Sequence, residues 1–248
     1  MPYSKCFVSF KNKMSHFDAD LDYIDIVYNN VLSNPLSEGA EELFVGSSNP
    51  KYETLSRYKV VVQNQLLVVR HLKTTLYTAY IKDLYEEFTI YLRTMLKDIY
   101  NNAKITPERI TGEHKITMTS IDILTHIRQG NLADIVIDNI FQSLENERSS
   151  INLINKFHQK IGIEKDEQLI ADAIYYLEIR HKLVHTDGFA DLDFKSTHPT
   201  LSYTTASYIS LNYTTIKAAK EAVFNLIKDI DSKIMQQHLV QPNETPNS

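Results

Sequence analysis

Residues 177–188 read L-E-I-R-H-K-L-V-H-T-D-G. Arg180, His181, Lys182 and His185 crowd the end of an apolar run, and Gly188 follows as a helix stop. Three readings fit such a group: an active site, a metal pair, or a polar helix end. Arginine presents a planar cationic fork suited to phosphate, and histidine exchanges protons near neutral pH. Together, Arg180 and His185 supply what RNA phosphodiester cleavage needs without a metal. A base or acid works at the 2′-hydroxyl or the leaving oxygen, and a cation steadies the charge on phosphorus. His181 and His185 also have the i, i+4 spacing of a helical two-histidine metal site. Lys182, however, stands where an H-E-x-x-H helix carries glutamate. Two histidines define no coordination sphere, and only Glu178 or Asp187 are near enough in sequence to add to them. Neither a metal nor a cofactor is expected. The plain structural reading is a cation-rich last turn that offsets the helix macrodipole, closed by Asp187 and Gly188.

Something must position these groups. The helix that carries them should start near Lys165 or Asp166. It should bury Leu169 or Ile170, Ala173 or Ile174, Leu177 and Val184, with Gly188 as the left-handed C′ residue. Residues 52–101 contain neither Gly nor Pro. There Leu72, Leu76, Tyr80, Leu84, Phe88, Tyr91, Met95 and Ile99 keep a helical period, which predicts one long helix or two abutting ones. Val60-Val61-Val62 is β-rich and weakens the helix at its start. Phe17, Leu21, Ile24, Tyr28 and Val31 form an earlier stripe, with Ser15 as N-cap, Asn34-Pro35 as the stop and an irregular first dozen residues. A polar loop covers 33–51, and 105–112 is a connection. Short helices are expected at 119–129 (capped by Thr119 or Ser120), 131–146 and 149–161, the last ending at Gly162. L-S-Y-T-T-A-S-Y-I-S-L-N reads as a short strand or hairpin, and a last helix spans 214–237. The expected class is all-α: a helical bundle with two long helices, several short bridging helices and a small β-hairpin insert near 200–212. The expected divisions are an N-terminal helix and loop extension (1–50), a helical domain (51–240) and a disordered tail (241–248).

The chain has 248 residues and a formal net charge of −5, so no global basic field draws in nucleic acid and any RNA contact must be local. A single cysteine, Cys6, allows no intrachain disulfide and no cysteine-ligated zinc within one chain. No apolar run approaches the roughly 18–20 residues of a membrane span. The first residues, M-P-Y-S-K-C-F-V-S-F, lack a secretory apolar region. A cytoplasmic protein without a membrane partner is expected. G-x-x-x-x-G-K-[ST], G-x-G-x-x-G and G-x-S-x-G do not occur. Lys51, Arg57, Lys59, Arg70, His71 and Lys73 make a basic stretch, read as a solvated helix face, with contact to a phosphate backbone as the alternative. Glu86-Glu87 and Asp166-Glu167 read as solvent charges or helix-start residues. Most of the 15 tyrosines read as core residues with a polar tip, Tyr80 and Tyr91 among them. Tyr175 and Tyr176, one or two turns before the motif, are candidates for stacking on unpaired bases.

The run Y-Y-L-E-I-R-H-K-L-V-H-T-D-G resembles the signature segment of the HEPN superfamily, whose ribonucleases carry R-x(4–6)-H. His181 matches the polar residue that usually follows the arginine, and Leu183-Val184 match the aliphatic pair before the histidine. T-L-Y-T-A-Y-I-K-D-L-Y-E-E-F upstream and the helix at 214–237 fit the family's bundle. The resemblance spans roughly 70–240, and only the short signature is specific. Residues 1–50 and 189–213 have no counterpart. The resemblance implies a dimerising α-helical bundle in which Arg180 and His185 are catalytic, and two copies of the motif helix line a shared cleft. It implies RNA as substrate, a toxin or antiviral defence role, and an antitoxin or defence partner. His181, Glu178, Lys182 and Asp187 would support the pair. A non-catalytic module of the same type, binding RNA, nucleotide or a protein, is the alternative.

Spacing alone is weak support. Seven arginines, nine histidines and three permitted spacings produce about 0.8 matches by chance. Arg109 and His114, in R-I-T-G-E-H, form a second pair with the same spacing inside a Pro- and Gly-bearing connection, and read as coincidence. On an ideal helix, Arg180 and His185 stand about 140° apart with about 7.5 Å of rise, so they do not share a face. His181 and His185 do, as do Glu178 and Lys182.

Overall fold

The computed structural model describes residues 2–33, 50–51, 62–102, 104–145 and 149–243. Asn34-Pro35, Arg57, Lys59 and the first two valines of Val60-Val61-Val62 lie outside the described residues, as does most of the loop expected at 33–51. Helix α1 (Lys5–Ser33) begins a dozen residues earlier than its stripe suggested. Phe7, Phe10 and Met14 continue that stripe upstream at spacings of three and four, and all three are buried. Ser4, not Ser15, starts the helix: its hydroxyl oxygen accepts from the Phe7 N–H at 3.0 Å. Ser15 is exposed in mid-helix.

Helix α2 (Val62–Asn101) is single and continuous. Tyr80, Leu84, Phe88, Tyr91, Met95 and Ile99 are buried as the period predicts. Leu72 and Leu76 are exposed instead, because the flank one position along, with buried Val69 and Tyr77 and with Lys73 paired to Asp25, is the one turned to α1. Short helices follow: α3 (Pro107–Thr111), α4 (Ser120–Gln129), α5 (Leu132–Glu145) and α6 (Ser150–Ile161). Thr119 caps α4 in a reciprocal box with Asp122. Helix α7 (Glu167–His185) carries the motif, and the Asp166 carboxylate caps it by accepting from the Gln168 and Leu169 N–H groups. Helix α8 (Leu192–Thr197) and a two-stranded antiparallel hairpin, β1 (Ser202–Tyr203) and β2 (Ile209–Ser210), form the insert. Helix α9 (Tyr213–Gln236) completes the bundle.

The architecture is therefore mostly helical, with the small hairpin where β-branched and aromatic residues concentrate. Four helices are long rather than two: α1, α2, α7 and α9 pack on one another around a single apolar core. The N-terminal helix does not stand apart, since Phe7, Phe10, Met14, Leu21 and Ile24 join that core. Buried Asp231 on α9 ties it down by accepting from the Ser4 backbone N–H at 3.1 Å, the Ser4 hydroxyl and the Tyr91 hydroxyl at 3.3 Å. Part of the tail expected to be disordered is ordered. Ser4 bridges Pro242, and the Asn243 N–H donates to the Tyr3 carbonyl at 2.9 Å. Residues 244–248 lie outside the described residues. No described helix is long and apolar enough to cross a membrane.

Candidate active site

The last two turns of α7 line a cleft of about 480 Å³. Arg180, His181, Lys182 and His185 all face it, joined by Glu178 and Leu177 from the same helix. The other walls come from distant sequence: Tyr85 of α2, Glu145 at the end of α5, Ser149 and Ser150 at the start of α6, and Phe194 of α8. A single chain thus brings Arg180 and His185 to one cleft, despite the wide angle between them on an ideal helix. Tyr85 contributes to this. The Arg180 guanidinium lies over its ring, 4.5 Å from the centroid, a cation–π contact that draws the arginine toward α2.

The two histidines face each other with ring centroids 4.5 Å apart. Loss of hydration at the crowded rings lowers the affinity of His181 for a proton, and the charges of His185, Lys182 and Arg180 lower it further. His181 is therefore held neutral more strongly than an ordinary histidine. Lys182 does not pair with Glu178. Its ammonium reaches Asp191, the α8 N-cap, at 2.6 Å and lies 5.3 Å from the centre of the Phe194 ring. The Asp191 carboxyl is pushed below the usual range by that lysine and by the Phe194 N–H it accepts. Lys182 thus fastens α8 to the motif helix and brings Phe194 to the cleft.

Glu178 faces a residue that the motif did not point to. His198, buried behind the cleft, places its Nε2 2.9 Å from the Tyr175 carbonyl and 3.6 Å from the Glu178 carboxylate. Its ring stacks on Phe194 at 4.0 Å and leans on Tyr175 at 4.5 Å. Tyr175 and Tyr176 do not line the cleft; they pack edge-on against each other at 5.0 Å, and the Tyr175 hydroxyl meets Thr200. Tyr85 and Phe194 are the aromatic groups there. No short-range pattern links them to the motif, so only packing could identify them.

The helix stop also differs in detail. Thr186 is the C-cap, so the C′ position falls to Asp187, which takes the left-handed conformation with φ 50°. Gly188 follows at φ 84°, and its N–H donates to the Lys182 carbonyl at 2.9 Å. Asp187 closes the helix and is not part of the cleft lining. Val184, placed in the buried stripe by the sequence, is exposed. Ile179 and Leu183 are buried in its place, because α7 turns that flank toward α9 and α2. In the basic stretch, Lys73 is taken up by Asp25 at 2.8 Å and the Tyr28 ring at 4.0 Å. Among the described residues, no three His, Cys, Asp or Glu side chains gather in a way that could hold a metal ion. No family model, no curated protein and no solved structure matches the chain.

Proposed function

We propose that this protein is a metal-independent endoribonuclease acting at the α7 cleft. The observation that carries the reading is the meeting of Arg180, His181 and His185 on one wall of that cleft. His181, which holds its proton weakly, is suited to accept the 2′-hydroxyl proton. The 2′-oxygen then attacks the adjacent phosphorus, and His185 protonates the departing 5′-oxygen. The products are a 2′,3′-cyclic phosphate and a 5′-hydroxyl end. Arg180 offsets the charge that builds on the phosphoryl oxygens. Tyr85 holds Arg180, Lys182 anchors α8, and Glu178 with His198 braces the back of the helix.

The HEPN resemblance supports the same chemistry and adds a homodimer through the motif helix, with a toxin or defence role and a cognate antitoxin or defence partner. Near that helix, Val184, Phe189, Leu192 and Tyr208 are exposed, Leu192 at 85%, and Phe189 meets Tyr208 edge-on at 5.9 Å, apolar surface suited to a second copy. The test is incubation of the purified protein with total RNA in EDTA, followed by analysis of the ends. Cyclic-phosphate ends that vanish in Arg180→Ala and His185→Ala are expected. RNA left intact, or cut equally by both variants, rejects the reading.

A second reading is a binding module without catalysis. Arg180 on Tyr85 and Lys182 on Asp191 favour it, since both cations already have partners within the chain. It predicts salt-sensitive RNA association with no covalent change.

A further inference from the structure

We propose that an RNA strand held at the motif cleft continues into a second phosphate-binding cleft, formed by Arg109, His114, Lys156 and Lys160. This rests on the nuclease reading above. The second cleft, of about 590 Å³, lies between the α3 turn and the outer side of α5 and α6. The Arg109–His114 pair, a coincidence by its spacing, has both members in its wall. Lys160 builds the turn that presents them: its ammonium donates to the Ile110 carbonyl and reaches the Thr111 carbonyl at 3.5 Å. Those acceptors are neutral, so they leave the lysine's charge in place. Neither Arg109 nor His114 makes an ion pair among the described residues, and Glu113 is the one carboxylate in the wall.

Arg109 is seated with little clearance. Its guanidinium lies against Gly162, the left-handed stop of α6 at φ 80°. A Cβ at that position would fall 1.7 Å from a guanidinium nitrogen, so a side chain there would displace the Arg109 guanidinium. The two clefts meet at the end of α5 and open on different flanks of the α5–α6 pair. Consecutive residues Leu144 and Glu145 line one cleft each. Ser150 lines the first, while Lys156, Gln159 and Lys160 line the second. From Ser150 to these residues α6 rises about 9–15 Å and turns roughly 180–280°, so the strand passes around the flank of the helix pair to reach the second cleft, a path of several nucleotides. Arginine, lysine and histidine donors without base-reading partners suit backbone phosphates rather than a particular sequence.

The experiment uses single-stranded RNA made uncleavable by 2′-O-methylation, in lengths of about 4 and about 12 nucleotides, with binding read by fluorescence anisotropy at several salt concentrations. The longer strand should bind the wild type more tightly than the shorter. Arg109→Gln with His114→Gln should weaken the longer strand about tenfold and flatten its salt dependence by about 0.7 for each phosphate no longer neutralised, leaving the shorter unchanged. His114→Gln alone, on the surface turn, should give part of the effect even where Arg109→Gln disturbs folding, as monitored by circular dichroism. Equal binding of both lengths by the wild type, or an unaltered double variant, overturns the proposal. Cleavage that needs Arg180 but ignores Arg109 and His114 at every strand length rejects the second cleft and leaves the nuclease reading standing. Length-dependent binding that needs Arg109, without any cleavage of unmodified RNA, rejects the nuclease reading and leaves the second cleft standing.

Discussion

The imidazoles of His181 and His185 stand 4.5 Å apart on successive turns of one helix, so a charge on His185 disfavours a charge on His181. Restricted hydration of His181 is the first reason that its proton is held weakly, and His185 is the second. In a proton NMR titration, the His181 midpoint should lie below the ordinary histidine value of 6.5. His185→Ala should move that midpoint upward without restoring 6.5, because burial persists. If RNA cleavage uses His181 as base, activity should rise with pH through this lowered midpoint. A His181 midpoint at or above 6.5 in the wild type would contradict the arrangement.

On the proposed nuclease reading, Tyr85 holds the arginine and does not touch the reacting atoms. Tyr85→Leu removes the ring beneath Arg180, an interaction of about 1 kcal/mol. Turnover should fall about fivefold with the fold intact, and Tyr85→Phe should recover most of the loss because the ring face is retained. Steady-state kinetics on a fluorogenic RNA, with circular dichroism as control, decides it. A Phe variant as impaired as Leu would point to the hydroxyl instead.

Asp231 is fully buried and anchors the start of α1. Asp231→Ala strands the Ser4 N–H, the Ser4 hydroxyl and the Tyr91 hydroxyl without their acceptor, a cost of about 2–4 kcal/mol. Urea unfolding should show that loss, and hydrogen exchange should quicken first over residues 5–10. Burial raises the Asp231 carboxyl above its ordinary value of 3.8, against the hydrogen bonds from Ser4 and Tyr91. A raised carboxyl means that the fold favours the protonated form. The wild type should therefore lose stability relative to Asp231→Asn as pH climbs from about 3.8 through the raised value. The opposite slope would overturn the assignment.

His158 gives a pH response of its own at 1% exposure. Its Nδ1 lies 2.9 Å from the Ile154 carbonyl, while Nε2 has no hydrogen-bond partner among the described residues. Burial lowers its affinity for a proton, so the unfolded chain takes up the proton first as pH falls. Stability should be complete above 6.5 and decline from there down through the lowered folded value. His158→Phe should flatten that acid limb in melting temperatures measured between about pH 7 and pH 5. A limb that keeps its slope in the variant would assign it elsewhere.

The sequence by itself determined most of the helices, because each depends on local signals. Apolar residues three and four apart mark one face, Asp166 and Thr119 are caps, and Gly162 is a left-handed stop. It also located the motif at the end of a helix. It placed the start of α1 too late, although Ser4, Phe7, Phe10 and Met14 carry a local signal, and it misjudged features that depend on neighbours: the burial of Ile179 and Leu183 instead of Val184, and the exposure of Leu72 and Leu76. A period locates a stripe, but the elements packed against it decide which part is covered.

Tertiary structure alone decided the composition of the cleft. Tyr85, Glu145, Phe194 and His198 lie 14 to 95 residues from Arg180 in the sequence and reach its surroundings only by packing. No local pattern encodes such a meeting, since side chains far apart in the chain share no backbone period. The same holds for the second Arg–His pair. Its spacing carried no information, and only the fold of the α3 turn onto α6, around Gly162 and the Lys160 ammonium, gathered Arg109 and His114 into one wall.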